Sequence, residues 1–235
     1  MMPATNQTFT GFPKDAIHFL RELGRNNNKT WFNRNKATYQ ACIVAPALAF
    51  VPALSGRLGA FTPTVIAEPR IGGSLFRIHR DTRFSADKSP YKTHVGIRVR
   101  DRDTAGSSRC TGPVYYVEFD ADHLRLGVGV KHFDPPLLDA YRQSVSGHGG
   151  RVFTEALAVA EAAGDRLLGE VLARTPSGFE GAAPLIRRKG FFVQRETRLP
   201  RQIHAGEFVD HCAGQLQPYA ALFAELRRLA IASGK

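Results

Sequence analysis

Cysteine is scarce in this chain. The 235 residues hold three, Cys42, Cys110 and Cys212, scattered and in no CxxC pair. Such spacing gives neither a disulfide framework nor a zinc knuckle, and a reducing compartment fits it best. The short signatures of well-understood chemistry are missing too. No GxSxG elbow, Walker loop, GxGxxG after a strand, HExxH or HxxxH occurs, so the corresponding hydrolase, nucleotide and zinc mechanisms have no foothold. Gly127-Val128-Gly129-Val130 lacks the third glycine of a dinucleotide fingerprint. No apolar run approaches a bilayer span, and the opening Met-Met-Pro-Ala-Thr-Asn-Gln has neither a basic nor an apolar leader region. A cytoplasmic protein with no membrane partner is the expectation. Acidic side chains are few beside basic ones, 21 against 32, for a net charge of +11. A surplus of that size attracts anions and nucleic acid.

An apolar fraction of 43% with 10% aromatics is ordinary for a globular protein and argues against wholesale disorder. Phe12-Pro13 opens a helix whose stripe is Ala16, Phe19, Leu20 and Leu23, with Gly24 as its stop. Thr30 reads as the N-cap of a second helix carrying Trp31, Phe32, Tyr39 and Ile43. Pro46 ends that helix and begins a third through Leu48, Val51, Leu54 and Leu58, closed by Gly56 and Gly59. The period then changes from near 3.6 to 2. Leu75–Ile78 and Val95–Val99 read as strands, and Val114–Phe119 and Leu124–Val130 as a hairpin across Asp120-Ala121-Asp122. Gly127 and Gly129 share one face of the second arm and mark a bend or a close approach. Gly106-Ser107-Ser108 is loop material. Helices start at Pro135-Pro136 and at Phe153, Leu167–Leu172 is ambiguous, Thr175–Gly178 is a turn, and Phe191–Val193 is a short strand. A terminal helix runs from about Glu207 to Ala232 with an interruption at Pro218. Helices, then meandering strands, then helices, with no repeat and no long linker, predict one α+β domain with a mostly antiparallel sheet.

Charge is concentrated. From Arg70 to Arg102 nine basic residues stand against three acidic ones, a net of +6 in about a seventh of the chain. Inside this window Arg77 to Lys92 mixes guanidinium, ammonium, carboxylate and hydroxyl groups. Arg77, Arg80 and Arg83 have the fork geometry for phosphate or carboxylate, and Lys88 and Lys92 add point charges. Ser85 and Ser89 can donate hydroxyl hydrogen bonds, and Ser89-Pro90-Tyr91 is a stiff turn that positions Lys88, Tyr91 and Lys92. Asp81 and Asp87 either orient the cations or, in an enzyme, act as general acid or base. Three readings stay open: an Arg–Asp network bracing a long loop, an anion site and a catalytic site. The arginines oppose a metal at His79, Asp81, Asp87 or His94, so none is expected. Glu118 and Asp120 are the one carboxylate pair worth distances. Cys42 reads as an inert thiol in an apolar helix.

Gly11-Phe12, Asn27 to Phe32 with its Trp-Phe, Arg80-Asp81-Thr82-Arg83-Phe84-Ser85 and Asp87-Lys88-Ser89-Pro90-Tyr91-Lys92 resemble a known family. So do Tyr115-Tyr116, Gly127 with Gly129, and Arg174-Thr175-Pro176-Ser177-Gly178-Phe179 followed by Pro184. The family is that of domain of unknown function 2461, and the likeness spans about Phe9 to Phe223. It implies one compact α+β domain and no activity. Ser177 departs from it where lysine is expected, so that turn's basic contribution is in doubt. The residues favour a small anionic or phosphorylated ligand, with no cofactor named. The rival is nucleic-acid binding, because Arg70–Arg102 and Arg187-Arg188-Lys189 with Phe191-Phe192 mix cations with aromatics. Against it, RNP aromatics, zinc ligands and a helix-turn-helix pattern are missing.

Overall fold

A computed structural model describes residues 8–83, 85–104, 112–147, 150–179 and 184–234. Phe84, the Gly106–Ser108 loop, Cys110 and His148 lie outside them. α1 (Lys14–Arg25) turns Ala16, Phe19, Leu20 and Leu23 inward, the stripe of a one-sided helix. It passes through Gly24 and closes where the Asn26 N–H meets the Glu22 carbonyl. The cap of α2 (Lys29–Arg34) is Asn28 and not Thr30: its Oδ1 accepts from the Trp31 N–H at 3.0 Å, the reach of an N-cap side chain to the third amide of the helix.

α3 (Lys36–Thr38), a π-helical turn (Tyr39–Val44) and α4 (Ala45–Gly59) run on as one helix. Pro46 therefore neither ends nor restarts it. The π turn directly before Pro46 loosens the hydrogen-bond ladder at the point where proline supplies no N–H. At 24 residues, Lys36–Gly59 is long and apolar enough to cross a membrane by length and composition, which corrects the expectation that no such run exists. In this fold its apolar side is core, with Ala47, Phe50, Val51, Leu54 and Leu58 buried.

The sheet is antiparallel throughout. β1 (Val65–Ile66), β2 (Val95–Asp101), β3 (Val114–Phe119), β4 (His123–Val130), β5 (Arg166–Leu168) and β6 (Phe191–Arg198) lie in the order β1-β2-β3-β4-β6-β5. β6 has eight residues, because Gln194, Glu196 and Arg198 conceal its second half from a reading based on hydrophobicity. The strand expected at Leu75–Ile78 is instead two short contacts on the edge of β2. The Phe76 N–H reaches the Gly96 carbonyl at 2.9 Å and the Arg98 N–H the Ser74 carbonyl at 2.9 Å. Farther along, Lys92 N–H to Ile78 O at 2.8 Å and Arg80 N–H to Pro90 O at 2.9 Å tie residues 78–92 into a narrow hairpin. The described residues of the Arg80–Ser89 motif form its tip.

Strand alternation gives the sheet two unlike faces. On the inner face Val95, Ile97, Val99, Tyr115, Val117, Phe119, Leu124, Leu126 and Val128 are buried. α4, α7 (Phe208–Leu216) and α8 (Ala220–Ser233) pack on this side. Tyr115 stacks on Phe223 of α8 with centroids 4.5 Å apart and planes 6° from parallel. Burying each such ring contributes about 1.5–3 kcal/mol. Pro218 interrupts the terminal helix as expected, through a 3-10 turn, Gln217–Tyr219. α8 is also held to the sheet by Arg227, whose Nε donates to the fully buried Asp101 at 2.9 Å. α5 (Pro135–Ser146), capped by Asp134, and α6 (Gly150–Ala163) enclose Phe191 through Tyr141 and Phe153.

Candidate functional site

The outer face of the sheet is half-exposed, and the register fixes its layout. One row across the strands is Arg100, Val114, Gly129 and Phe192; the next is Arg98, Tyr116, Gly127 and Gln194. Then come Gly96, Glu118, Arg125 and Glu196, with Asp120, His123 and Arg198 beyond. Aromatic rings gather at one end and ionisable groups at the other, and Tyr116 belongs to both.

At the aromatic end two rings lie where glycine leaves room. A Cβ on Gly96 would stand 3.0 Å from the Phe76 ring, and one on Gly127 would stand 2.4 Å from that of Phe192. The close approach expected at Gly127 is therefore the neighbouring strand's own phenylalanine. Gly129 has φ +129°, and a Cβ there would sit 2.1 Å from the Phe191 carbonyl oxygen. Tyr116 stands between the two phenylalanines, 5.9 Å from Phe76 and 6.4 Å from Phe192, edge-on to both. Over these rings opens a cavity of about 350 Å³, lined by Phe76, Arg98, Tyr116, Gly129, Lys131 and Phe192 among others. Arg98 and Lys92 each lie 5.2 Å from the Phe76 centroid, and Lys131 lies 5.1 Å from that of Tyr116 and 4.9 Å from that of Phe192. No carboxylate occurs among the described residues of the lining.

At the polar end Arg125 gathers three carboxylates: Glu118 and Asp120 at 2.9 Å from Nη1, and Glu196 at 2.6 Å from Nε. The Tyr116 hydroxyl donates to Glu118 at 2.5 Å, and His94 Nε2 lies 3.7 Å from the same carboxylate. Burial, and then the Glu118 charge, push the Tyr116 hydroxyl far above its ordinary pKa, so it remains a donor. Burial also lowers His94, against the opposing pull of Glu118 and with the help of the cations Lys92, Arg125 and Arg80. Lys92 is lowered by burial and then by Arg77 and Arg80, with Glu118 opposing. Perturbed groups in one half-covered place are typical of functional sites, although ion-pair networks also produce them.

The hairpin motif divides between these surroundings and solvent. Arg77 and Arg80 lie near Lys92, and Lys92 and Arg80 lie near His94. The other charged members turn to each other at the exposed tip. Arg83 makes two side-chain bonds to Asp81, Nε at 3.0 Å and Nη2 at 2.7 Å, and that guanidinium holds Asp81 down at about 2. Arg80 pairs with Asp87. The Asp87 carboxyl is held below its usual range, first by the Ser89 N–H at 2.8 Å and the Ser89 hydroxyl, then by Arg80. Lys88 Nζ donates to the Thr82 carbonyl at 2.9 Å. Ser85 is half-buried. Tyr91 is core: it is 3% exposed and stacks on Phe32 at 4.2 Å. Asn27 clamps its backbone, with Nδ2 donating to Tyr91 O at 2.9 Å and Oδ1 accepting from Tyr91 N–H at 3.1 Å.

Sequence reasoning missed Phe76, Arg98 and Lys131 as one group. They come from the β2 edge, β2 and the end of β4, and only the register assembles them. The alternation Val114, Tyr116, Glu118 was the available signal for Tyr116 and Glu118. Cys42 is half-buried, its thiol raised by burial and by Asp15, and Cys212 is buried and raised further. Neither thiolate is available for chemistry near neutral pH.

An antiparallel sheet with helices on one face and a polar-aromatic surface on the other defines a single α+β domain. Residues 15–224 match the family described as conserved hypothetical protein (DUF2461), and the chain belongs to that family. No curated protein matches it.

Proposed function

We propose that this protein binds a small anionic or phosphorylated ligand on the outer face of its sheet, at the aromatic end beside the hairpin. One observation carries the reading: a cavity of about 350 Å³ has Arg98 and Lys131 in its wall and no carboxylate among the described lining residues. Cavities of that size suit small molecules, and a few placed charges set their choice. Crowding of Lys92 by Arg77 and Arg80 supports the same sign of ligand, because an anion there relieves like-charge repulsion. Asp81 and Asp87 are already engaged by arginines and held below the usual range, which makes them poor proton acceptors. The reading is therefore one of binding, in the cytoplasmic setting that the free thiols suit.

Thermal unfolding with phosphate, pyrophosphate and citrate, at ionic strength matched with sodium chloride, tests it. A ligand at a hundred times its Kd stabilises by about 2.7 kcal/mol. At least one of these anions should raise the midpoint, and the combined change Arg98→Met with Lys131→Met should abolish the shift while Arg83→Ala keeps it. If no anion exceeds the chloride control, the proposal fails.

A further inference from the structure

Resting on that reading of the same cavity, we infer that the ligand carries a flat ring as well as its negative charge: an aryl phosphate, an aryl carboxylate or a mononucleotide. The cations alone would make an anion site on any polar wall. Here the wall is aromatic, and its rings are held in place. Phe76 lies against Gly96, where a Cβ would stand 3.0 Å away. The Tyr116 hydroxyl is bonded to Glu118, which Arg125 holds in turn, so the ring cannot swing without breaking a half-buried chain of hydrogen bonds. Rings fixed in this way present a preformed aromatic wall, and a ligand loses little by ordering them. Phe76 and Tyr116 are half-exposed, whereas Phe192 forms a buried back wall covered by Lys131.

Charge and ring are matched in position. Arg98 and Lys92 lie over the Phe76 ring at 5.2 Å from its centroid, and Lys131 lies over that of Tyr116 at 5.1 Å. Electron-rich ring faces attract these cations and hold them at the cavity wall. A planar ligand against Phe76 and Tyr116 places its own ring beside theirs and its phosphate or carboxylate between Arg98 and Lys131. A bare anion uses only the second contact. Rings packed over sheet glycines also stabilise a sheet without any ligand. Such packing does not require the cavity that opens over the rings.

The test compares partners that differ by the ring. Dissociation constants are measured by calorimetry for phenyl phosphate against methyl phosphate, benzoate against acetate, and adenosine monophosphate against ribose 5-phosphate. In at least one pair the ring-bearing member should bind tenfold or more tightly, as stacking of a flat ring on aromatic side chains demands. The pair that shows it separates aryl acids from nucleotides. Phe76→Leu should remove most of the preference by weakening the ring-bearing member more than the ringless one, and Tyr116→Phe, which releases that ring from Glu118, should reduce the preference by less. Should Phe76→Leu fail to fold, saturation-transfer NMR on the wild type with phenyl phosphate replaces it, and its aromatic protons should saturate more strongly than a non-binding reference. Equal affinity within every pair overturns this inference and leaves the anion reading standing. Neutral phenol binding as tightly as phenyl phosphate, or no binding by any compound, overturns both.

Discussion

Gly129 and Gly127 look alike in sequence and differ in what they protect. At Gly129 a side chain meets both a positive φ and the Phe191 carbonyl oxygen at 2.1 Å, and backbone does not yield easily. Gly129→Ala should cost roughly 2–4 kcal/mol, read from the urea midpoint. At Gly127 the obstacle is the Phe192 ring at 2.4 Å. A ring can shift, so Gly127→Ala should cost less, about 1–3 kcal/mol. The reverse order would mean that β4 is held by its neighbours and not by its own backbone. His94 gives a pH prediction at the same scale. Its folded pKa is lowered, so the unfolded chain takes up the proton first as pH falls below about 6.5. Stability present above that value is lost on acidification toward the folded pKa. His211 is lowered too, by burial and then by Arg195. Wild-type urea midpoints should fall between about pH 7 and pH 5, and His94→Gln should remove only part of the fall. An unchanged slope in the variant would show that His94 is as readily protonated in the fold as outside it.

Among the elements, the 78–92 hairpin separates into a stem that holds the fold and a tip that does not. Tyr91 in the stem is buried against Phe32, and Asn27 fixes its backbone by two hydrogen bonds. Tyr91→Ala should cost about 3–5 kcal/mol, the usual loss for a buried aromatic, and Asn27→Ala about 1–3 kcal/mol. The Arg83–Asp81 pair at the tip stands in solvent, where ion pairs contribute little. Arg83→Ala should leave the unfolding midpoint unchanged within error, and a large drop would make the tip a structural brace. The contrast shows what was legible in the sequence. Helix stripes, the β3–β4 hairpin and the Pro218 break were readable because each is local and periodic. The motif was readable as a cluster of residue types, but the partners of each charge were not, since Arg80–Asp87 follows from the hairpin's closure and leaves Asp81 to Arg83. The aromatic cavity was the least legible part. Phe76, Arg98, Tyr116, Lys131 and Phe192 become neighbours only through strand register, which one chain's spacing does not state.

At the scale of the whole molecule the question is whether a net charge of +11 acts as a general attraction for polyanions or serves one small site. A nucleic-acid strand needs a continuous basic path with rings along it. On this sheet the path is interrupted. Glu118, Asp120 and Glu196 surround Arg125, and Glu68 takes Arg100, so two outer-face arginines are already neutralised. At the aromatic end Arg98 and Lys131 face a cavity with no carboxylate among its described lining residues, and it has room for one small ligand, not a run of nucleotides. A twelve-nucleotide oligothymidine should therefore bind only by diffuse attraction. Measured by fluorescence anisotropy, that binding should disappear between about 50 and 200 mM salt, as counterion release demands. The combined change Arg98→Met with Lys131→Met should weaken it no more than removal of any two surface cations does. Phosphate-dependent stabilisation should instead vanish in that variant and respond less to salt, since it involves few ionic contacts. Oligonucleotide binding that outlasts 200 mM salt and is lost in the double variant would place nucleic acid at the cavity itself, and the small-ligand reading would have to give way.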